Sequence, residues 1–130
     1  MKILEIFKNI NPYENRIMKP YIIAEAGVNH EGCINTAKRL IEEAKEGGAD
    51  AIKFQTYNPE TVYVKNAGKS NYLKKSGLKT DVYEIFQKHS MPYKMIKPLA
   101  EHCKKHKILF MSTPFSVKDR KSTRLNSSHL

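Results

Sequence analysis

The chain between residues 20 and 118 alternates short, mainly apolar runs with stripes of apolar residues spaced three and four apart. The runs at 21–24, 51–56 and 108–113 are typical of buried β-strands. Two stripes have the spacing that places side chains on one face of a helix: Ala37, Leu40, Ile41 and Ala44, and then Ile96, Leu99, Ala100 and Cys103. The pattern predicts the order strand, helix, strand, helix, strand.

Polar residues and glycines indicate where these elements begin and end. Asn35 is a candidate cap for a first helix that runs to about Glu46, where a pair of glycines ends it. The segment 59–80 shows no clear period, so we expect an excursion loop there, followed by a short helical stretch from Asp81. Residues 1–7 are a candidate for one further short strand.

This alternation predicts the α/β class, because neighbouring parallel strands need crossover connections of helix length. Right-handed crossovers leave two arrangements, a doubly wound open sheet and a (β/α)8 barrel. The periodicity does not decide between them, since three strands cannot close a barrel that typically needs about 250 residues.

The composition limits the chain to one domain with a modest core: 130 residues, 40% hydrophobic and 28% charged. The sequence has no run of the roughly 20 apolar residues that cross a bilayer, and its start lacks the apolar stretch of a secretory signal. Its two cysteines, Cys33 and Cys103, cannot form a disulfide framework and do not have zinc-site spacing. We therefore expect a cytoplasmic protein with no membrane partner.

The last twelve residues differ in character from the rest. Residues 119–130 resemble the translation of a sequencing-library adapter, and the alternative is an ordinary polar tail rich in Ser, Thr and Asn. We expect 119–130 to be a non-native, disordered tail, and 1–118 to be the N-terminal portion of a truncated longer domain.

The net charge of +10, from 23 basic and 13 acidic residues, first suggests a nucleic-acid-binding module. Such a module would need clustered Lys and Arg with interleaved aromatic residues. The lysines here are spread along the chain and the seven tyrosines do not line one strand or helix face. We expect a solvated basic surface and no nucleic-acid partner.

Polar side chains stand late in each predicted strand. Glu25 ends the first, Lys53 and Gln55 lie late in the second, and Thr113 ends the third. Parallel α/β enzymes collect their catalytic groups at the carboxyl ends of strands, and a lysine beside an amide suits an anionic substrate that also bears hydroxyl or carbonyl oxygens. A structural Glu25–Lys53 ion pair would give the same pattern, and the spacing does not separate the two interpretations.

Two further patterns are weaker. Asn29 lies in the loop after the first strand, where it could reach a substrate or serve a turn. His102 and His106 are four apart on a predicted helix, a spacing that could hold a metal ion. Because charged residues surround these histidines, we expect a solvated helix face there and no metal site in this chain.

Three segments, 22–32, 48–56 and 110–115, resemble the motifs of the sialic acid synthase (N-acetylneuraminate synthase) family, in family order. The family includes legionaminate and pseudaminate synthases. The resemblance implies a (β/α)8 TIM barrel, of which this chain supplies about three βα units. It also implies a small antifreeze-like domain after the barrel and a homodimer at full length.

The chemistry that the resemblance implies is a condensation in sialic acid biosynthesis. Phosphoenolpyruvate adds to the aldehyde of an N-acetyl hexosamine of the N-acetylmannosamine type, and gives a nonulosonic acid and phosphate. A divalent cation, manganese or magnesium, polarises the aldehyde as a Lewis acid. Another phosphoenolpyruvate-dependent aldol synthase is the alternative, but it lacks the opening motif Glu-x-Gly-x-Asn-His-x-Gly.

The resemblance also implies roles for the strand-end residues. Glu25 matches the carboxylate that contacts the sugar and is a candidate for acid/base catalysis, and Lys53 matches the lysine that grips phosphoenolpyruvate. Gln55 matches the amide near the amino sugar, and Thr113 the hydroxyl at the phosphate. Asn29 belongs to the opening motif and is a candidate substrate-binding residue without a more definite role.

The family's metal-ligating histidines and a second carboxylate lie on later strands, to which nothing in these 130 residues corresponds. We therefore expect the chain by itself to be inactive and poorly folded.

Overall fold

The computed structural model describes residues 20–62 and 82–127. The candidate strand at 1–7 and residues 63–80 of the expected excursion loop lie outside this part. The elements are β1 (Ile23–Gly27), α1 (Ile34–Glu46), β2 (Ala51–Thr56), α2 (Pro59–Val62), α3 (Val82–His89), a 3-10 helix (Tyr93–Met95) that runs into α4 (Ile96–Lys105), β3 (Leu109–Pro114) and α5 (Val117–Ser127). The predicted alternation of strands and helices is confirmed.

The three strands form one parallel sheet in the order β1-β2-β3. Ile23 pairs with Ala51, and Ala51 pairs in turn with Leu109, so the strands start level with one another. In a parallel pair, directly opposed residues point to the same face of the sheet. The register therefore sorts the strand residues into two faces.

One face packs against α1 and α4 and forms the core. Ile52 and Phe54 of β2 are buried there together with Ile41 of α1 and Leu99 of α4. Phe54 stacks on Phe110 of β3, with ring centroids 5.8 Å apart. The second predicted stripe is buried throughout, while two members of the first, Leu40 and Ala44, are half-buried. The helical periodicity thus predicted the faces that pack on the sheet.

The opposite face carries Glu25, Lys53, Gln55, Met111 and Thr113, and none of these five side chains is fully buried. A sheet with helices on one face and, toward the carboxyl ends of its strands, mostly polar side chains on the other corresponds to a sector of a barrel wall, whose second face points to the barrel axis. This face positions the candidate site.

β1 begins and ends later than the predicted 21–24. Asp50 accepts the Ile22 N–H on its carboxylate at 2.8 Å, which holds the chain just before the strand. Pairing then continues past Glu25 because a bulge lets Gly27 pair with Phe54. Glu25 therefore lies inside the strand, and the prediction that it ends the strand is wrong.

Three further boundaries differ from the predictions. α1 is capped by Cys33 and not by Asn35, because the Cys33 N–H donates to the His30 carbonyl at 2.9 Å and closes a turn that enters the helix two residues early. The first four residues of the expected loop form α2, where the Asn58 side chain accepts the Glu60 N–H at 3.0 Å. β3 is shifted one residue toward Pro114.

The disordered tail predicted for 119–130 is wrong as far as Ser127, because these residues belong to α5. Ser116 and Asp119 bond reciprocally at the start of the helix: the Asp119 N–H donates to Ser116 Oγ at 3.1 Å, and Ser116 Oγ donates to Asp119 Oδ2 at 2.7 Å. The Tyr93 hydroxyl donates to the other oxygen of the fully buried Asp119. Together these bonds anchor the helix, whereas the non-native origin of 119–130 stays a prediction.

Candidate active site

Glu25 and Lys53 are direct register partners on the face of the sheet opposite the helices. Lys53 Nζ lies 2.8 Å from Glu25 Oε2, and the side chains keep 35% (Lys53) and 50% (Glu25) of their exposure. The second carboxylate oxygen, Oε1, accepts the Gly27 N–H at 3.0 Å. One oxygen is thus held by an ammonium and the other by the backbone, so the carboxylate has a fixed orientation.

The bulge at the end of β1 places Gly27 between the Glu25 carboxylate and the Gln55 amide. Gly27 has a φ of +52°, in the left-handed region that favours glycine. A Cβ built on Gly27 would lie 3.6 Å from Glu25 Oε1 and 3.8 Å from Gln55 Nε2. The Gln55 amide and the Glu25 carboxylate therefore flank the same backbone position. The structure brings Glu25, Lys53 and Gln55 together, as the sequence predicted.

Thr113 is the register partner of Gln55 and stands exposed near the end of β3. Its neighbour Ser112 points the other way, where Ser112 Oγ lies 2.5 Å from Oγ1 of the fully buried Thr56. The pleat thus places Thr113, and not Ser112, on the same face as Lys53 and Gln55. We call Glu25, Lys53, Gln55 and Thr113 the strand-end cluster.

Asn29 lies apart from the strand-end cluster. It lines a cavity of about 310 Å³ together with Val28, Glu31, Ile85, Phe86 and His89. No member of the strand-end cluster is among these lining residues. The Asn29 N–H donates to the Ala26 carbonyl at 3.0 Å, which fixes the turn that carries the side chain to the cavity.

His30 follows Asn29 in the opening motif, where the sequence indicates a loop residue that could reach substrate, but the structure buries it completely. Its Nδ1 accepts the Gly32 N–H at 2.9 Å, and its ring centroid lies 6.0 Å from that of Phe54. Burial, and then the charge of His89, lower the pKa of His30, so its ring is neutral at pH 7. Since His30 stands between Asn29 and Glu31 in a polar loop, no periodic pattern in the sequence predicts its burial.

The strand-end cluster can bind an oxyanion and a hydroxylated partner at once. The Lys53 ammonium supplies positive charge, the Gln55 amide and the Thr113 hydroxyl supply neutral donors, and Glu25 accepts hydrogen bonds. A divalent cation does not fit these residues, because the single carboxylate is already paired with an ammonium, and hard cations need several oxygen ligands.

No helix within residues 20–62 and 82–127 has both the length and the apolar character that spanning a membrane requires.

Comparisons with known proteins connect this site to a family. The sequence profile of the NeuB family matches residues 40–127. The N,N'-diacetyllegionaminic acid synthase of Campylobacter jejuni is 43% identical over 100 residues, which are 76% of this chain and 30% of that protein. The pseudaminic acid synthase of the same organism is 37% identical over 107 residues, or 81% of this chain and 31% of that protein.

A solved structure shows the same relationship in three dimensions. The N-acetylneuraminic acid synthetase of Leptospira borgpetersenii, determined in complex with citrate, matches with a TM-score of 0.66 and 35% identity, over 82% of this chain and 33% of that one. The chain thus spans about a third of the length of these relatives, and its βα units are the N-terminal part of a TIM barrel, as predicted. Because the family profile matches residues 40–127 and the fold is shared, the chain belongs to the NeuB family.

Proposed function

We propose that the protein containing these residues condenses phosphoenolpyruvate with an N-acetyl hexosamine to form a nonulosonic acid and phosphate. Family membership and the names of the relatives support this reaction class. The observation that carries the proposal is the Glu25–Lys53 contact of 2.8 Å on the open face of the sheet, with Gln55 beside it. Such a cluster offers charge for an anionic substrate and acceptors for a sugar.

The reaction joins the methylene carbon of phosphoenolpyruvate to the aldehyde carbon of the sugar. Water adds to the resulting oxocarbenium carbon, and the tetrahedral intermediate releases phosphate as its C–O bond breaks. Lys53 binds the anionic groups of phosphoenolpyruvate and stabilises charge on them, since a positioned cation acts most strongly where charge develops. The exposed Thr113 hydroxyl donates to the phosphate from the neighbouring strand.

Glu25 and Gln55 bind the amino sugar in this proposal. The Gly27 N–H holds Oε1 of Glu25, so a sugar hydroxyl that reaches the carboxylate meets an acceptor of fixed direction. Glu25 is also the candidate for moving a proton to or from the sugar. A manganese or magnesium ion would supply Lewis-acid chemistry at the aldehyde, held by ligands outside these 130 residues.

The test uses the complete gene product that contains these residues. Phosphate release from phosphoenolpyruvate is measured with N-acetylmannosamine and with a di-N-acetylated hexose as acceptors. We expect Lys53→Met to lower kcat/KM by about 100-fold or more, the effect of removing one preorganised electrostatic donor. Lys97→Met, at an exposed position of α4, is the matched control and leaves kcat/KM unchanged.

Two outcomes contradict the proposal. One is the absence of acceptor-dependent phosphate release with every N-acetylated hexose tested. The other is a Lys53→Met enzyme as active as the Lys97→Met control, which would leave the Glu25–Lys53 contact with a structural role alone.

A further inference from the structure

A second group of chemically active side chains lies on the helices, away from the sheet. Glu42 of α1 and His102 and His106 of α4 bring three ligand atoms to within 4.8 Å of one another. We call these three residues the helix-pair cluster. Their side chains are 49%, 14% and 30% exposed in that order, so His102 does not lie on the fully solvated face that the surrounding charges predicted.

The helix-pair cluster lies at the opposite end of the βα units from the strand-end cluster. Helices in such units run antiparallel to their strands, so the last turn of α4 stands near the start of β3. The Lys45 ammonium confirms this placement, since its Nζ donates to the Lys107 carbonyl at 3.0 Å, two residues before β3. The helix-pair cluster is therefore separate from the proposed catalytic chemistry.

A hydrogen bond alone does not account for all three residues. His102 Nε2 lies 2.8 Å from Glu42 Oε1, a normal hydrogen-bond distance. His106 Nε2 lies 3.8 Å from the same oxygen, which is too long for a hydrogen bond. The His106 ring thus faces the Glu42 carboxylate without a hydrogen bond to it. Its centroid lies 4.5 Å from that of the His102 ring.

These distances suit a shared metal ion. Tetrahedral zinc with ligand bonds of about 2.0–2.1 Å separates neighbouring ligand atoms by about 3.3 Å. The observed 2.8 and 3.8 Å lie on either side of that value. Two histidines four apart on one helix, with a carboxylate from another, form the two-His, one-carboxylate donor set that binds zinc and leaves a fourth position for water.

We propose that Glu42, His102 and His106 bind one Zn²⁺ ion that cross-links α1 and α4. Magnesium and manganese are disfavoured, because these ions prefer sites made of oxygen ligands, whereas two of the three donors here are imidazoles. Since the ion joins two neighbouring helices that pack on the same face of the sheet, binding stabilises the folded chain over the unfolded one. This proposal does not depend on the proposed synthase reaction.

The experiment titrates Zn²⁺ alone into the complete gene product that contains these residues, freed of metal and carrying Cys33→Ser to remove the exposed thiol. Calorimetry measures stoichiometry and affinity, and thermal unfolding measures Tm. We expect the parent to bind one more ion per chain than Glu42→Gln does, and its Tm to rise with zinc concentration. Loss of either imidazole, in His102→Ala or His106→Ala, should weaken binding by at least tenfold, since even outer-sphere partners of a metal cost about 10–100-fold.

Glu43→Gln is the matched control, because Glu43 is the next residue on α1 and pairs with Arg39 instead. It should bind zinc like the parent, whereas Glu42→Gln should not. Circular dichroism shows whether each variant keeps its helices, and Co²⁺ absorption reports the tetrahedral ligand field independently of stability. The proposal is overturned if the parent at 100-fold excess binds no more zinc than Glu42→Gln does, or if His106→Ala binds it as tightly as the parent.

Discussion

The Glu25–Lys53 contact can be tested for a structural role by a double-mutant cycle. The cycle compares the parent chain with Glu25→Gln, Lys53→Gln and the double variant. At 2.8 Å, two unit charges attract by about 1.5 kcal/mol in bulk water and by about 6 kcal/mol at an effective dielectric constant of 20. The exposed fractions of 35% and 50% put the pair close to the aqueous limit.

Side-chain entropy and solvent screening reduce this attraction further. Measured couplings of exposed ion pairs are typically 0.2–1 kcal/mol, and we expect the cycle to give a value in that range. Each single variant should then lower the free energy of unfolding by about 1 kcal/mol or less. The pair would thus contribute little to stability, which would favour the proposed substrate-binding role over a structural one.

The assay is urea unfolding of all four chains, followed by circular dichroism, with a common slope against denaturant. Arg39 and Glu43, an exposed pair four apart on α1 at 3.5 Å, provide the control cycle, for which about 0.3–0.5 kcal/mol is expected. A Glu25–Lys53 coupling above about 2 kcal/mol would refute the reasoning, because the pair would then be a structural element of the sheet.

Three further predictions concern the core, the buried histidine and the cysteines. Phe54→Ala removes a fully buried ring that stacks on Phe110 of β3, so urea unfolding should show a free energy of unfolding lower by about 3–5 kcal/mol. A decrease below about 1 kcal/mol would contradict the burial of Phe54 in the core. Burial, and then the charge of His89, lower the pKa of His30 in the folded chain, so the unfolded chain binds the proton more readily. The free energy of unfolding should therefore hold its full value above the unfolded pKa of about 6.5 and decline as the pH falls below it. His30→Gln should flatten that decline in unfolding curves measured from pH 7 to 5. Hydrogen bonds from the Thr36 hydroxyl, and then from the backbone N–H groups of Thr36 and Asn35, lower the pKa of the exposed Cys33 thiol, whereas burial raises the pKa of Cys103 to about 12. Iodoacetamide should therefore alkylate Cys33 before Cys103 in the native chain, as peptide mass spectrometry would show. Equal alkylation rates would contradict the burial of Cys103.

Local patterns predicted most of the fold because their causes are local. β2 spans 51–56 as predicted, and the buried residues of α4 are the ones that its stripe selected. The boundaries at Cys33 and Asn58 failed because of local turns that the periodicity does not register. At α5 a distant contact also contributes, since Tyr93 bonds Asp119 from 26 residues away, beside the local Ser116–Asp119 bonds, and a polar composition does not indicate this contact.

The candidate site divides in the same way. The residue types at the ends of the strands could be read from the sequence, because strand order and polarity locate the edge where they gather. Whether Glu25 and Lys53 touch depended on strand register, since the two residues are 28 positions apart and meet through the pairing of β1 with β2. Gly27 is a local sign of the bulge that holds the carboxylate, but a glycine after an apolar run fits a turn equally well.

By itself, the sequence determined the alternation of strands and helices, the apolar faces that pack together, and the identity of the polar groups at the carboxyl ends of the strands. These follow from backbone periodicity and from the cost of burying polar groups, which act over a few neighbouring residues. Only the tertiary structure decided which loop histidine is buried, which carboxylate meets which amine, and that Glu42 approaches a histidine 60 positions away. Such contacts depend on how separate elements dock, and docking geometry is a property of the assembled core.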